Sequence, residues 1–418
     1  MTGPAPPRPK FLAYGAHVVD ESDIAAVVEV LRGDFLTTGP LVERFERAFA
    51  EAVAVPHVVS CSSGTAALHM ACQALGLNET TVAVVPTITF LATANAARFV
   101  GAEVEFADVD PETGLLTAAA LEEAVSRAGK RFPQRRVAAV FPVHLNGQSA
   151  DMAGIAAVAR RKGMAVVEDA CHAVGGSQAT GGGGSSEIGS CAVSDIACFS
   201  FHPVKTIATG EGGSCTTRDP ELADRMRRFR NHGMVRDPAR FVSKAAFDRS
   251  GAANPWYYEM PDIGLNYRAS DIHCALALSQ LGKLRKFVEA RSRLVRHYHR
   301  AFEAIGAPVR PVQDAGYGTP AWHLMAVRVD FRAAGISRAR LMEALRADAI
   351  GTQVHYIPVH TQPYYRDRYG DAVLPGAQAY YESALSLPLN AAMSESDVDR
   401  VVRCIAAGLG AFGSGTVG

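Results

Sequence analysis

Between residues 57 and 201 the chain alternates short apolar, β-rich runs with helical stretches, and this alternation limits its fold more than any other feature. The runs are HVVSC, TVAVVP, EVEFADV, VAAVFPVH, MAVVEDA and IACFSF; helices such as GTAALHMACQALGL and DMAGIAAVARRKG lie between them. A strand that is apolar at nearly every position is buried on both faces, and a helix between strands supplies the crossover that a parallel pair needs. The expected fold class is α/β, with a mainly parallel sheet flanked by helices.

The pattern changes on either side of this body. Ahead of it, DESDIAAVVEVLRG reads as a capped amphipathic helix with Asp20 or Ser22 at the N-cap and Gly33 at the end. Behind it, the polar helix ELADRMRRFRN gives way to a weakly periodic, aromatic-containing stretch ending at Tyr267. From Ser270 more than thirty residues keep a helical pattern, so they form either a connector between domains or a bent pair of helices. HLMAVRVDF and GTQVHYIPVH as strands, with helices around ARLMEALRADA and ESDVDRVVRCIAAGL, make a smaller α+β unit. The expected layout is an N-terminal arm (1–19), a large domain (20–269) and a connecting helix with a small C-terminal domain (270–418). Gly181 to Gly184, followed by two serines, is the one low-complexity run and reads as a mobile loop tip.

Composition removes several function classes. Lys plus Arg and Asp plus Glu both total 42, and no basic block appears, so the footprint of a nucleic-acid binder is missing. Nowhere do about twenty apolar residues run together, as a membrane span requires. The start, MTGPAPPRPK, lacks the apolar core of a signal peptide, and the eight cysteines form no CxxC pair, which favours reduced thiols in a cytoplasmic protein. No metal site is expected.

Three segments can carry chemistry. In SCSSGTAALH a small-residue turn follows a strand and opens into a helix, so Ser63, Gly64 and Thr65 bring backbone N–H groups to a helix N-terminus, where an anion such as phosphate is favoured; a plain N-cap would look the same. In MAVVEDACHAVGG a strand ends in Glu168 and Asp169, placing carboxylates at the sheet edge where α/β folds bind ligands. In CFSFHPVKTIATGEGG one lysine, Lys205, stands in an apolar run, where desolvation frees its amine as a nucleophile toward carbonyl carbon; a solvated loop lysine is the plain alternative. A phosphate turn, a carboxylate at a strand end and an amine together fit pyridoxal 5'-phosphate (PLP), whose phosphate, ring nitrogen and aldehyde need those groups. Phe90 could stack on its ring, or could equally be core.

SSGTAALH, PTITFLATANA, PVHLNGQSADM, EDACHAVGG, SFHPVKTIATGEGG and GLNYRASDIHCALALSQL, in this order, resemble the DegT/DnrJ/EryC1/StrS sugar aminotransferases over nearly the whole chain. The resemblance implies a fold-type I PLP-dependent aminotransferase, with a seven-stranded type of sheet and a smaller C-terminal domain. It implies that Lys205 carries the cofactor and shuttles the proton, that Asp169 partners the ring nitrogen, and that His172 lies beside the ring oxygen. Gly64, Thr65 and Ser200, with Ala66 beside them, match phosphate contacts. Asn266 matches an asparagine that reaches the neighbouring subunit's phosphate, implying a homodimer with shared sites. Tyr14, the segment Asp34, Phe35, Leu36 and Thr37, and the segment Gln353, Val354, His355 and Tyr356 match positions lining a sugar-nucleotide pocket.

Within the family, FLAYGAHVVDESD, GDFLTTGP, PWYYEM with GLNYR, and QVHYIPVHTQPYY are most similar to members of the pseudaminic acid pathway. The implied reaction is transfer of the amino group of L-glutamate to C4 of a UDP-linked keto sugar. SQATGGGGSSEIGS departs from relatives, which have a short turn with a lysine or arginine there. Dehydratases of the superfamily carry histidine where Lys205 stands, and a non-catalytic cofactor binder would not need the intact lysine.

Overall fold

The structure, a computed structural model, describes residues 10–305 and 308–413. The proline-rich residues 1–9 of the expected arm lie outside the described residues. Twelve strands are present among them: β1 His57–Cys61, β2 Thr81–Pro86, β3 Glu103–Ala107, β4 Arg136–Val140, β5 Ala165–Asp169, β6 Ser177–Gly181, β7 Gly184–Glu187, β8 Ile196–Ser200, β9 Gly213–Thr217, β10 Val309–Pro311, β11 Met325–Val329 and β12 Ala384–Leu387.

The six apolar runs become β1, β2, β3, β4, β5 and β8 of a seven-stranded sheet ordered β1-β9-β8-β5-β4-β2-β3. β9 alone runs opposite to the rest, pairing antiparallel with both β1 and β8. It escapes a sequence reading because GSCTT is polar, yet all five residues are buried. Its two threonine hydroxyls are satisfied locally, Thr216 Oγ1 donating to the Gly189 carbonyl at 2.7 Å and Thr217 Oγ1 to that of Asp195 at 2.7 Å, which lowers the cost of burying a polar strand.

The helix Gly64–Ala74 is buried nearly all round, as its run of Ala, Leu, Met and Cys allows. On the amphipathic helix Leu41–Ala52 the buried residues are Phe45 and Phe49. Their rings meet Phe199 and Phe201 edge-on at 5.1–5.6 Å, and each buried ring contributes about 2–3 kcal/mol. This cluster anchors the end of β8, from which the loop carrying Lys205 departs.

Asp20, rather than Ser22, caps the first helix (Glu21–Arg32), in a reciprocal arrangement with Asp23. The helical pattern after Ser270 resolves into a pair, Asp271–Leu281 and Leu284–Ile305. The second packs on the three-stranded sheet β10-β11-β12 with the helices Arg338–Ala347 and Glu395–Gly413, around Leu294, Tyr298, Leu341, Val401 and Ile405.

One local expectation gains detail and one is corrected. The glycine run at 181–184 turns a two-stranded hairpin, β6 with β7. GTQVHYIPVH is no strand; it makes a single bridge, Gln353 to Ser386, and the antiparallel partners of β11 are β10 and β12. Pro358 within the run is unsuited to a central strand, and the chain there lies over the end of the large sheet.

Candidate active site

Six strands of the large sheet point the same way, so the loops leaving β1, β2, β5 and β8 gather at one edge. A cavity of about 550 Å3 opens there, between that edge and the segments carrying Tyr14, His323 and residues 353–357. Open α/β sheets bind ligands at this edge.

Three walls reproduce the three chemical segments. After β1, Ser63 caps the helix Gly64–Ala74, its hydroxyl accepting the N–H of Ala66 at 3.1 Å. That leaves the N–H groups of Gly64 and Thr65, at the first helical positions, without intrahelical partners. A Cβ at position 64 would lie 2.8 Å from Ser200 Cβ and 3.4 Å from Cys171 Sγ, so only glycine keeps this cradle open. Gly64, Thr65 and Ser200 line the cavity; Ala66 does not, its N–H being committed to the cap.

At the end of β5, Asp169 is 6% exposed and lines the cavity, whereas Glu168 is fully buried and does not line it. Thr93 Oγ1 donates to Asp169 Oδ2 at 2.7 Å and the Cys171 N–H to Oδ1 at 3.3 Å. Among the described residues no basic side chain pairs with this carboxylate within 4.0 Å.

After β8, Lys205 is fixed by a turn in which its N–H donates to the His202 carbonyl at 2.8 Å. Burial lowers its amine below the ordinary lysine value, against the opposing pull of Cys171 and Asp169. A larger neutral fraction is the condition for nucleophilic attack by an amine.

The opposite wall is aromatic and imidazole-rich. His172 is 6% exposed, its Nε2 3.0 Å from the Tyr356 hydroxyl while its Nδ1, also buried, has no partner. Burial and the nearby Lys205 push His172 down, and His355 likewise to about 3. Phe90, 56% exposed, stands at the rim with its ring 6.1 Å from that of Tyr356. The ring of Tyr14 lies 5.2 Å from that of His355.

PLP fits these residues. The glycine-dependent cradle at a helix N-terminus suits its phosphate, the cation-free carboxylate of Asp169 suits a protonated ring nitrogen, and the unpartnered Nδ1 of His172 could meet a ring oxygen.

Of the sequence-derived candidates, Tyr14, Gly64, Thr65, Phe90, Asp169, His172, Ser200, Lys205, Gln353, Val354, His355 and Tyr356 come together around this cavity. Asp34, Phe35, Leu36, Thr37 and Asn266 do not line it. Phe35 and Leu36 are half-exposed, and the Leu36 carbonyl accepts the N–H of Asp271. Asn266 is exposed and bridges Asn231.

Sequence reasoning missed His202 and His323, which also line the cavity. His323 is 2% exposed, its ring 4.6 Å from that of His172. Its N–H donates to the Asn146 carbonyl at 2.9 Å and its carbonyl accepts from the buried Arg291 at 3.1 Å. Gly147 lets the two segments meet, since a Cβ there would lie 2.1 Å from the Ala321 carbonyl oxygen. His323 lies two residues before β11, far along the chain, and no local spacing signals it. His202 had a signal, three residues before the lysine in SFHPVK.

Comparison with known proteins agrees with this geometry. The model of the DegT/DnrJ/EryC1/StrS aminotransferase family matches residues 17–406. The chain is 39% identical over 402 residues to the spore coat polysaccharide biosynthesis protein SpsC of Bacillus subtilis, covering 95% of this chain and 97% of that one. Helicobacter pylori PseC, an aminotransferase of pseudaminic acid biosynthesis, superposes with a TM-score of 0.84 at 26% identity, covering 96% of this chain and all of its own. DesI, solved in the presence of its TDP-sugar product, gives 0.80 at 28% identity, covering 97% and 94%. With a family match across nearly the whole chain and a site suited to the family's cofactor, the chain belongs to the DegT/DnrJ/EryC1/StrS aminotransferases and is a PLP-dependent sugar aminotransferase.

Proposed function

We propose that this enzyme transfers the amino group of L-glutamate to the C4 keto group of a UDP-linked 2-acetamido-2,6-dideoxy-4-keto sugar. The product is UDP-4-amino-4,6-dideoxy-N-acetyl-β-L-altrosamine, a pseudaminic acid precursor, made in the cytoplasm by a homodimer with shared sites. The observation that carries the amino-transfer chemistry is the convergence of Lys205, Asp169 and the Gly64–Thr65 helix start on one cavity. Support for the sugar is the likeness to PseC together with the pathway-like segments at residues 353–365.

When bound, PLP supplies an electron sink for the carbon that loses its proton. The residues do the rest. Gly64, Thr65 and Ser200 hold the phosphate, and Asp169 holds the proton on the ring nitrogen. Lys205 would hold the cofactor, and its Nζ would take the proton from the amino-bearing carbon of the donor and deliver one to C4 of the sugar. Burial serves this step, because an amine kept neutral is ready to accept a proton. Phe90 would stack on the ring and His172 would meet a ring oxygen, while Tyr14 and residues 353–356 would face the sugar. Asn266 reaches the partner's phosphate, and the exposure of Asn266, Trp256, Ile263 and Val242 supports a covered surface on that side.

A second reading, amination at C4 or C3 of another nucleotide-linked keto sugar, is favoured by the likeness to SpsC and to DesI with its TDP-sugar. One experiment separates them: incubation with UDP- and dTDP-linked keto sugars plus glutamate, followed by product mass and NMR. Amination at C4 of the UDP sugar is expected; exclusive use of a dTDP sugar or of C3 overturns the first reading. Borohydride treatment should fix a pyridoxyl mass on the Lys205 peptide. Mixing Lys205→Ala with Asn266→Ala protein should restore activity if sites are shared, and silent hybrids overturn that sharing.

A further inference from the structure

Glu168 has no role in the reaction as proposed, yet it is among the most heavily bonded acids of the molecule. Neighbours along a strand point to opposite faces, so while Asp169 faces the cavity, Glu168 is driven to the far side, where it is fully buried. Three donors converge on its carboxylate: His144 Nε2 at 2.9 Å, Gln178 Nε2 at 3.3 Å, and the Ser194 hydroxyl. His144 is also fully buried, and its Nδ1 accepts the N–H of Ala150 at 3.1 Å. The ring hydrogen therefore sits on Nε2 and points at Glu168.

The main chain of His144 completes the grip. Its N–H donates to the Asp169 carbonyl at 3.1 Å, and the Asp169 N–H donates to the Pro142 carbonyl at 2.8 Å. One residue thus holds Glu168 through its side chain and Asp169 through its backbone. Gln178 comes from β6, the first strand of the glycine-rich hairpin, and is itself fully buried.

A buried polar network of this kind is no more stabilising than apolar residues of the same volume. What distinguishes it is direction, because every donor faces one carboxylate and none can turn away without losing its bond. We propose that His144, Glu168 and Gln178 are positioning residues that fix the direction in which Asp169 presents its carboxylate to the cavity. This rests on the proposed pairing of Asp169 with the cofactor's ring nitrogen.

The test uses the PLP-loaded enzyme and the variants Glu168→Gln, Gln178→Ala and Asp169→Asn. In Glu168→Gln the new carbonyl can keep the His144 bond, but its NH2 cannot accept from Gln178 and Ser194, which must reorient, and His144 cannot turn to accept because Nδ1 is occupied. The expected result is a displaced pH midpoint of the cofactor's visible absorption and a kcat lower by about tenfold, as a change worth one buried hydrogen bond would cause, with KM for glutamate little changed. Gln178→Ala should displace the midpoint in the same direction by less, and it carries the test if Glu168→Gln does not fold. Adding Glu168→Gln to Asp169→Asn should move the midpoint no further than Asp169→Asn alone. If Asp169→Asn displaces the midpoint while Glu168→Gln and Gln178→Ala lower only the melting temperature, the positioning role is overturned and the Asp169 reading stands. If Asp169→Asn leaves the midpoint in place, the underlying reading falls.

Discussion

At the edge of the seven-stranded sheet, Glu103 on β3 is 5% exposed and meets Arg98 at 2.9 Å, Arg135 at 2.8 Å, Arg368 at 2.6 Å and the Tyr369 hydroxyl at 2.8 Å. In the middle of the same sheet, Asp169 on β5 is as deeply buried but receives only a threonine hydroxyl and one backbone N–H. Burying a carboxylate without a cation is costly. An acid neutralised by the fold's own arginines holds the fold together, and here it ties the 363–369 helix to the sheet edge. An acid left without one is matched to a cation brought by a ligand. The same residue class therefore does structural work at one place and, on the proposed reading, chemical work at the other.

Substitutions should separate the two regions. Lys205→Ala should cost the most, at least about a thousandfold in kcat, as loss of a positioned proton carrier does. Steady-state kinetics would show this, and borohydride should then leave no pyridoxyl mass on the protein. Asp169→Asn comes next, with kcat down by about a hundredfold, the scale of losing one aimed electrostatic group. Urea unfolding of the cofactor-free protein should show no loss of stability in that variant, since an uncompensated buried charge is removed.

Glu103→Gln should do the reverse, lowering stability by about 1 kcal/mol in urea unfolding by leaving the partly exposed guanidinium groups of Arg98, Arg135 and Arg368 poorly matched, with nearly unchanged kcat. Its pH dependence has a definite sign. The arginines and Tyr369 hold the Glu103 carboxyl at about 2 against an ordinary 4.5, so its contribution is complete above pH 4.5 and is lost as pH falls through about 2. Acid unfolding of Glu103→Gln should lack that component.

The smallest effect concerns Lys205 without cofactor. Burial lowers its folded value below 10.5, so the unfolded chain binds more protons between the two values and stability rises with pH across that window. Lys205→Met should therefore stabilise the cofactor-free protein at neutral pH and lose this advantage above the ordinary lysine value. A melting series across pH checks it, and equal stabilities at neutral pH would remove buried strain at Lys205 from the account.

The two regions also differ in how far they could be read from sequence. The strands carrying Glu103 and Asp169 were legible as the β-rich runs EVEFADV and MAVVEDA, each set off from its neighbours by a helical stretch. Lys205, Asp169 and the Gly64 turn were legible because each chemical group sits in a local setting that announces it. The arginine cluster was not, since Arg98, Arg135 and Arg368 are far apart in sequence and only packing gathers them. His323 stayed hidden for the same reason. β9 was missed because its burial depends on hydroxyl partners that a polarity pattern cannot display, and residues 351–360 were misread because their alternation serves the cavity wall rather than a sheet. Which of Glu168 and Asp169 faces the cavity depended on strand register.

The most direct test of the contrast is the visible absorption of the PLP-loaded enzyme, titrated with pH in wild type, Asp169→Asn and Glu103→Gln. The account predicts that Asp169→Asn displaces the midpoint and Glu103→Gln leaves it unchanged. A wild-type midpoint in Asp169→Asn, or an equal displacement in Glu103→Gln, would contradict it.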